Sequence, residues 1–159
     1  MIPTVEWKDG AVRLLDQSRL PEHIEFIDCR DYQTVAKAIR ELRVRGAPAI
    51  GVTAAMGVAL GAQEINTVDY DSFVKAVSTI CDHLAATRPT AVNLFWAIER
   101  MKQALASLRG RAVMEVKRAL IEESQRILDE EHRIYSAAIA IILSGQYKVA
   151  GRRVLRTPM

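Results

Sequence analysis

The chain has 159 residues, half of them hydrophobic, and a formal net charge of +3. That length and composition suit one compact domain with a real core. No apolar run reaches the roughly 20 residues of a membrane helix, and the N-terminus lacks the basic-then-apolar pattern of a secretory signal. The two cysteines make neither a disulfide framework nor a zinc site, so a reduced, cytoplasmic protein is expected, with no membrane and no bound metal.

The charge does not point to nucleic acid. Residues 145–159 hold Lys148, Arg152, Arg153 and Arg156 and no acid. With those four set aside, Lys and Arg balance the 19 acids almost one for one. No basic stripe with interleaved aromatics appears in that body, as a nucleic-acid partner would need.

Residues 1–30 read as a small antiparallel sheet. Val5-Glu6-Trp7 and Ala11-Val12-Arg13-Leu14-Leu15 flank Asp9-Gly10, a hairpin signal. Leu20-Pro21 opens the next loop, and Ile24 to Cys29 reads as a third strand. Three short strands need a helix packed on them to be stable.

From Asp31 the period turns helical, and residues 31–143 read as a helical bundle of the same α+β domain. Asp31 is a good N-cap, and Val35, Ile39 and Leu42 share one face. A second helix, from about Pro48 to Ala62, is built of small residues and contains Gly51, Gly57 and Gly61. Each glycine costs about 1 kcal/mol of helix propensity relative to Ala, so this helix must gain stability from close packing. Asp69 caps a third helix, with Phe73, Val77, Ile80 and Leu84 inward. Thr90 is expected to cap a fourth, carrying Leu94, Ile98, Met101 and Leu105. A fifth begins near Ala112, with Val113, Val116, Leu120, Ile127 and Ile134 on one side. Seven apolar residues from Ala137 to Leu143 close it. Residues 144–159 read as a basic, disordered tail.

Two turns stand out. In Arg43-Val44-Arg45-Gly46-Ala47-Pro48, a proline suits the first helical turn, and Gly46 lets the backbone turn and approach a ligand. The first N–H groups of a helix carry the positive end of its dipole. Together with Arg45 they form a candidate phosphate seat. The same residues also fit a plain helix–helix turn with an arginine in solvent. The second turn, Thr87-Arg88-Pro89-Thr90-Ala91, again puts an arginine before a helix.

Val44-Arg45-Gly46-Ala47-Pro48-Ala49-Ile50-Gly51 and Thr87-Arg88-Pro89-Thr90-Ala91-Val92-Asn93-Leu94 resemble the two signature stretches of the methylthioribose-1-phosphate isomerases. Val5-Glu6-Trp7 and Leu20-Pro21 agree with this, and the resemblance covers roughly residues 4–130. The wider family includes ribose-1,5-bisphosphate isomerases. It also includes regulatory subunits of the translation-initiation guanine-nucleotide exchange factor.

The resemblance implies several things. The family converts 5-methylthioribose 1-phosphate to 5-methylthioribulose 1-phosphate in methionine salvage, without an organic cofactor. Full-length members are homodimers. The N-terminal domain contributes phosphate and sugar contacts through the positions of Arg45, Gly46, Ala47 and Arg88. The chemistry is ascribed to a cysteine and an aspartate of a Rossmann-like C-terminal domain, which opens with a Thr-His-Cys-Asn-Ala-Gly motif. That motif is absent from this sequence. The expectation is a truncated or frameshifted substrate-binding half that does not catalyse alone, or else a standalone N-terminal domain with its own tail. A protein-binding regulatory module is the rival reading, and a fragment of a ribose-1,5-bisphosphate isomerase is the other alternative.

The other chemistry-bearing residues have ordinary alternatives. Cys29 and Cys81 could be nucleophiles, but free cysteine usually packs as a small hydrophobe. His23, His83 and His132 make no ligand pattern. Trp96 fits core or an interface anchor, and Asn93 either meets a sugar hydroxyl or closes the helix start. Asp28, Arg30 and Asp31 read as a solvated charged loop.

Overall fold

The computed structural model describes residues 2–151 and 153–156. Strands β1 (Val5–Lys8) and β2 (Ala11–Leu15) pair antiparallel with Lys8 opposite Ala11. Asp9 (φ 50°) and Gly10 (φ 73°) turn the chain between them, as an Asp-Gly hairpin loop requires. Strand β3 (Phe26–Cys29) adds to β2, giving the order β1-β2-β3. The third strand is shorter than expected, and Ile24 lies outside it, 59% exposed. Val12 pairs with Cys29 and Leu14 with Ile27. Arg13 turns to the solvent side and forks onto Asp28, at 2.6 and 2.9 Å.

Helix α1 (Tyr32–Arg40) starts where the side chain of Asp31 accepts the Thr34 N–H at 2.6 Å. Asp28 and Asp31 are therefore bonded, and the charged loop expected there is not simply solvated. Val35 and Ile39 are fully buried, but Leu42 is not their neighbour. The helix ends at Arg40, Leu42 takes φ 59°, and its side chain is 42% exposed. A residue past the helix end no longer follows the helical period.

Helix α2 (Ala47–Glu64) is the centre of the fold. Every residue from 50 to 62 is buried, so the helix is enclosed all round, as only a core helix can be. Its glycines face different neighbours. A Cβ on Gly57 would meet Val35 at 2.9 Å and Leu84 at 3.3 Å. One on Gly61 would meet Ile80 at 2.9 Å and Tyr32 at 3.0 Å. One on Gly51 would fall 2.8 Å from the backbone oxygen of Asn93.

Helices α3 (Tyr70–Ala85) and α4 (Val92–Ser107) pack around α2. Asp69 caps α3 through the Ser72 N–H at 2.8 Å. The inward stripes expected for both are buried: Phe73, Val77, Ile80 and Leu84, then Leu94, Ile98, Met101 and Leu105. Burial of such side chains stabilises by roughly 1.5–3 kcal/mol each. No described helix is long and apolar enough to cross a membrane.

The chain divides into two units, Met1–Ile127 and Leu128–Met159, and α5 (Val113–Ser144) runs through the division. In the first unit α5 buries Val113, Val116, Leu120 and Ile127. In the second, Ile134 is 61% exposed rather than inward, and Tyr135, Ile142 and Leu143 are exposed too. Residues 144–159 were expected to be disordered. Instead β4 (Tyr147–Ala150) and β5 (Arg153–Arg156) pair antiparallel, with Ala150 opposite Arg153. Gly151 takes φ 60° just past β4, a conformation that favours glycine.

Gly51→Ala tests the close approach of α2 to α4. In an open helix the change gains about 1 kcal/mol. Here the methyl meets backbone, and overpacking of that kind costs about 1–3 kcal/mol. The urea midpoint is expected to fall with the slope unchanged. A higher midpoint would mean that the two helices are not in contact at Gly51.

Candidate functional site

The turn between α1 and α2 is tied to the sheet. Asp16, just past β2, is only 3% exposed. Its Oδ1 accepts the Ser18 N–H at 3.0 Å and the Ser18 hydroxyl at 2.6 Å, and Arg43 reaches Oδ2 at 3.2 Å. The Gln17 N–H donates to the Arg43 carbonyl at 2.8 Å, and Gln17 Nε2 lies 3.5 Å from the Arg45 carbonyl. Burial alone would raise the Asp16 carboxyl. The two Ser18 bonds and the charges of Arg43 and Arg19 outweigh it and hold the carboxyl below its ordinary value.

Beyond this clamp, Arg45 is exposed and its Nε donates to the Leu42 carbonyl at 3.1 Å. Gly46 is the N-cap of α2 at φ 90°, a conformation that favours glycine. Its carbonyl takes the first helical bond, from the Ile50 N–H at 3.0 Å. Pro48 is the second helical residue, one later than a helix starting at Pro48 would place it. No side chain caps this end. The N–H groups of the first turn therefore face outward beside the exposed Ala47.

The second turn is set by Thr87. It is buried, and its hydroxyl and N–H both donate to the Leu84 carbonyl, at 2.6 and 3.1 Å. Arg88 follows, half-buried. The Ala91 N–H donates to the Arg88 carbonyl at 3.0 Å, closing a turn through Pro89. That turn delays the helix. Ala91, not Thr90, is the N-cap of α4, and it has no side-chain cap bond. Asn93 becomes the second helical residue and is half-buried.

The four described N-caps thus fall into two kinds. Asp31 and Asp69 close α1 and α3 with their side chains, while α2 and α4 start bare. The two bare starts are adjacent, because Gly51 in α2 lies against the backbone of Asn93 in α4. Each is preceded by an arginine. Two neighbouring helix starts with free N–H groups and positive dipole ends can hold an anion.

The remaining candidates separate from this place. Cys29 ends β3 with no exposed surface; burial, then the nearby charges of Asp31 and Asp28, push its thiol up to about 12. Cys81 on α3 is likewise buried, and its thiol is raised to about 11, chiefly by burial. Neither is a thiolate at neutral pH. Trp96 is 53% exposed, with Arg100 over its ring at 5.5 Å. A cavity of about 700 Å³ between α4 and α5 is lined by Trp96, Arg100, Arg111, Glu123 and Arg126 among others, and by neither arginine turn. Glu123 pairs with both Arg100 and Arg126 there, so the cavity is a poorer anion site than the helix starts. The Asp16–Arg43 clamp was not legible in the sequence: both residues look like ordinary loop charges.

A small antiparallel sheet joined to helices around a buried small-residue helix, with two arginine-preceded helix starts side by side, defines an α+β domain. The chain belongs to the initiation factor 2 subunit family, whose model matches residues 43–152. It is 52% identical over 128 residues to the methylthioribose-1-phosphate isomerase of Geobacter metallireducens, covering 80% of this chain and 37% of that protein. The 5-methylthioribose 1-phosphate isomerase of Pyrococcus horikoshii superposes with TM-score 0.78 at 36% identity, over 82% of this chain and 36% of that one. Translation initiation factor eIF-2B subunit delta from A. fulgidus gives 0.75 at 42% identity, over 82% and 37%. The chain spans little more than a third of the length of the curated relatives it matches.

Two outcomes check this geometry. An Asp whose carboxyl is held low stabilises the fold above its unfolded value, and that contribution is lost as the pH falls through the folded one. Asp16→Asn is expected to lower stability at pH 7 by about 1–3 kcal/mol. The gap to the unaltered chain should close as urea midpoints are followed below pH 4; a gap that stays constant would remove Asp16 ionisation from the clamp. For the thiols, a disulfide reagent at pH 8 should label Cys29 and Cys81 only after denaturation. Rapid labelling of either in the native state would contradict their burial.

Proposed function

We propose that this chain supplies the phosphate-holding part of an aldose–ketose isomerase acting on 5-methylthioribose 1-phosphate. The product is 5-methylthioribulose 1-phosphate. The observation that carries the reading is the pair of bare helix starts of α2 and α4, joined at Gly51 and Asn93 and each preceded by an arginine. The similarity to two methylthioribose-1-phosphate isomerases supports it.

In this reading the phosphate accepts bonds from the first-turn N–H groups at Gly46, Ala47 and Ala49. Arg45 and Arg88 add permanent charge and a planar fork of donors. The phosphate at C1 locks the sugar ring, so opening it needs an acid at the ring oxygen. A proton or hydride must then pass between C1 and C2 in a dry site. The overall change is an isomerisation, with no net oxidation and no external electron carrier. The described residues suit holding more than chemistry. Cys29 and Cys81 are buried, protonated thiols, and uniform binding of a substrate does not lower its barrier. The chain alone is therefore proposed to bind sugar phosphate weakly and not to turn it over.

A regulatory, protein-binding role is the second reading, favoured by the likeness to the eIF-2B delta subunit. Titration with methylthioribose 1-phosphate distinguishes the two. Binding that Arg45→Ala and Arg88→Ala each weaken by about 1.5–3 kcal/mol, the value of a charged hydrogen bond, is the expected outcome. No ketose phosphate should form above the no-protein background. Affinity unchanged in both variants would remove the phosphate seat. Binding to an initiation-factor subunit in place of the sugar phosphate would favour the second reading.

A further inference from the structure

We infer that the last part of α5 and the hairpin β4–β5 form an interface between two copies of this chain, with the two helices antiparallel. The inference concerns the unit Leu128–Met159 alone and does not depend on the phosphate seat.

Tyr135, Ile139 and Ile142 recur at spacings of four and three, so they share one face of the helix. They are 60%, 41% and 59% exposed, and Leu143 beside them is 81% exposed. A face of that kind is the narrow seam by which one helix packs on another. The hairpin is in the same state. Tyr147, Val149 and Val154 fall on one side of it, by alternation along β4 and the pairing of Val149 with Val154. All three are exposed. An isolated two-stranded hairpin is marginal in water without something to pack on.

Charge selects the occupant. Asp129, Glu130 and Glu131 stand at the head of this helix segment, and Arg133 is the only Lys or Arg between 128 and 143. Past the helix end come Lys148 and Arg153, both exposed, and residues 144–159 hold no acid. Each copy is thus acidic at one end of the apolar face and basic at the other. A parallel pair would set acids on acids and bases on bases, and like charges across an interface are costly. An antiparallel pair sets each acidic end against the partner's basic end. With Tyr135 level with the partner's Ile142, Asp129 lies six residues further out, roughly 9 Å along the helix. That is where the partner leaves its helix for β4. The arrangement closes as a two-fold dimer, because the same patch serves both copies.

The size of the face agrees. Covering a side chain of this kind removes roughly 60–120 Å² from water. The seven exposed residues named here come to about 400–800 Å² per copy, and a standard interface covers about 800 Å² per partner. The dimer is therefore weak and depends on concentration. A lipid surface would also take an apolar face beside a basic hairpin, but anionic headgroups would repel the three acids at its head.

The test is sedimentation velocity on the whole chain over a series of micromolar concentrations. A monomer passing to a dimer, with no larger species, is the expected result. Tyr135→Lys combined with Ile142→Lys should leave only monomer. Asp129→Lys combined with Glu131→Lys should weaken the dimer about tenfold. Adding Lys148→Glu and Arg153→Glu to that variant should restore the affinity to within about threefold, since only the sign of each end has been exchanged. The charge variants touch no apolar residue, so they decide the matter even where the paired lysines disturb the helix. A monomer at every concentration, open-ended aggregation, association that survives the paired lysines, or a charge exchange that restores nothing overturns the inference. So does a monomer that binds phosphatidylserine vesicles, which would make the face a lipid site. None of these outcomes bears on binding of the sugar phosphate.

Discussion

The close approach of α2 to its neighbours governs the rest of the structure. A helix enclosed on every side can be reached by other backbones only where it has no side chain in the way. Gly57 and Gly61, one turn apart, admit Val35 and Tyr32 from α1, and Leu84 and Ile80 from α3. Gly51 lies well round the helix from them and admits α4. Each glycine costs about 1 kcal/mol of helix propensity. The neighbours it admits bury apolar surface worth roughly 25 cal/mol per Å². The weak helix is thus stable only as the centre of an assembled core.

That constraint reaches the candidate site directly. The start of α2 is held on one side by the approach of α4 at Gly51. On the other it is held by the buried Asp16, which pairs Arg43 and lies beside the Gln17-to-Arg43 backbone bond. A seat made of backbone N–H groups has no flexible side chain to adjust, so its geometry is only as good as the rigidity of the turns beneath it. Among the described residues no buried side-chain nitrogen or oxygen lacks a partner, so the polar groups near these turns are satisfied.

Two differences between sequence and structure share one cause: periodicity carries no information about where an element stops. Leu42 continues the spacing of Val35 and Ile39, yet the helix has ended and the residue is exposed. Ile134 continues the stripe of α5 into a unit where that side is uncovered. Thr90 is a good cap residue, but the turn closed at Ala91 passes it by.

The sequence by itself determined the element types of the first unit, the inward faces of α3 and α4, the caps at Asp31 and Asp69, and the Asp-Gly hairpin. It also carried the two arginine motifs. These are local matters, decided by spacing, cap chemistry and turn chemistry within a few residues. Only the tertiary structure decided which neighbour each glycine of α2 would meet, that Asp16 would be buried against Arg43, and that the starts of α2 and α4 would lie together. Those outcomes join residues about twenty to forty positions apart in the chain, and such pairings depend on how whole helices pack rather than on any local preference.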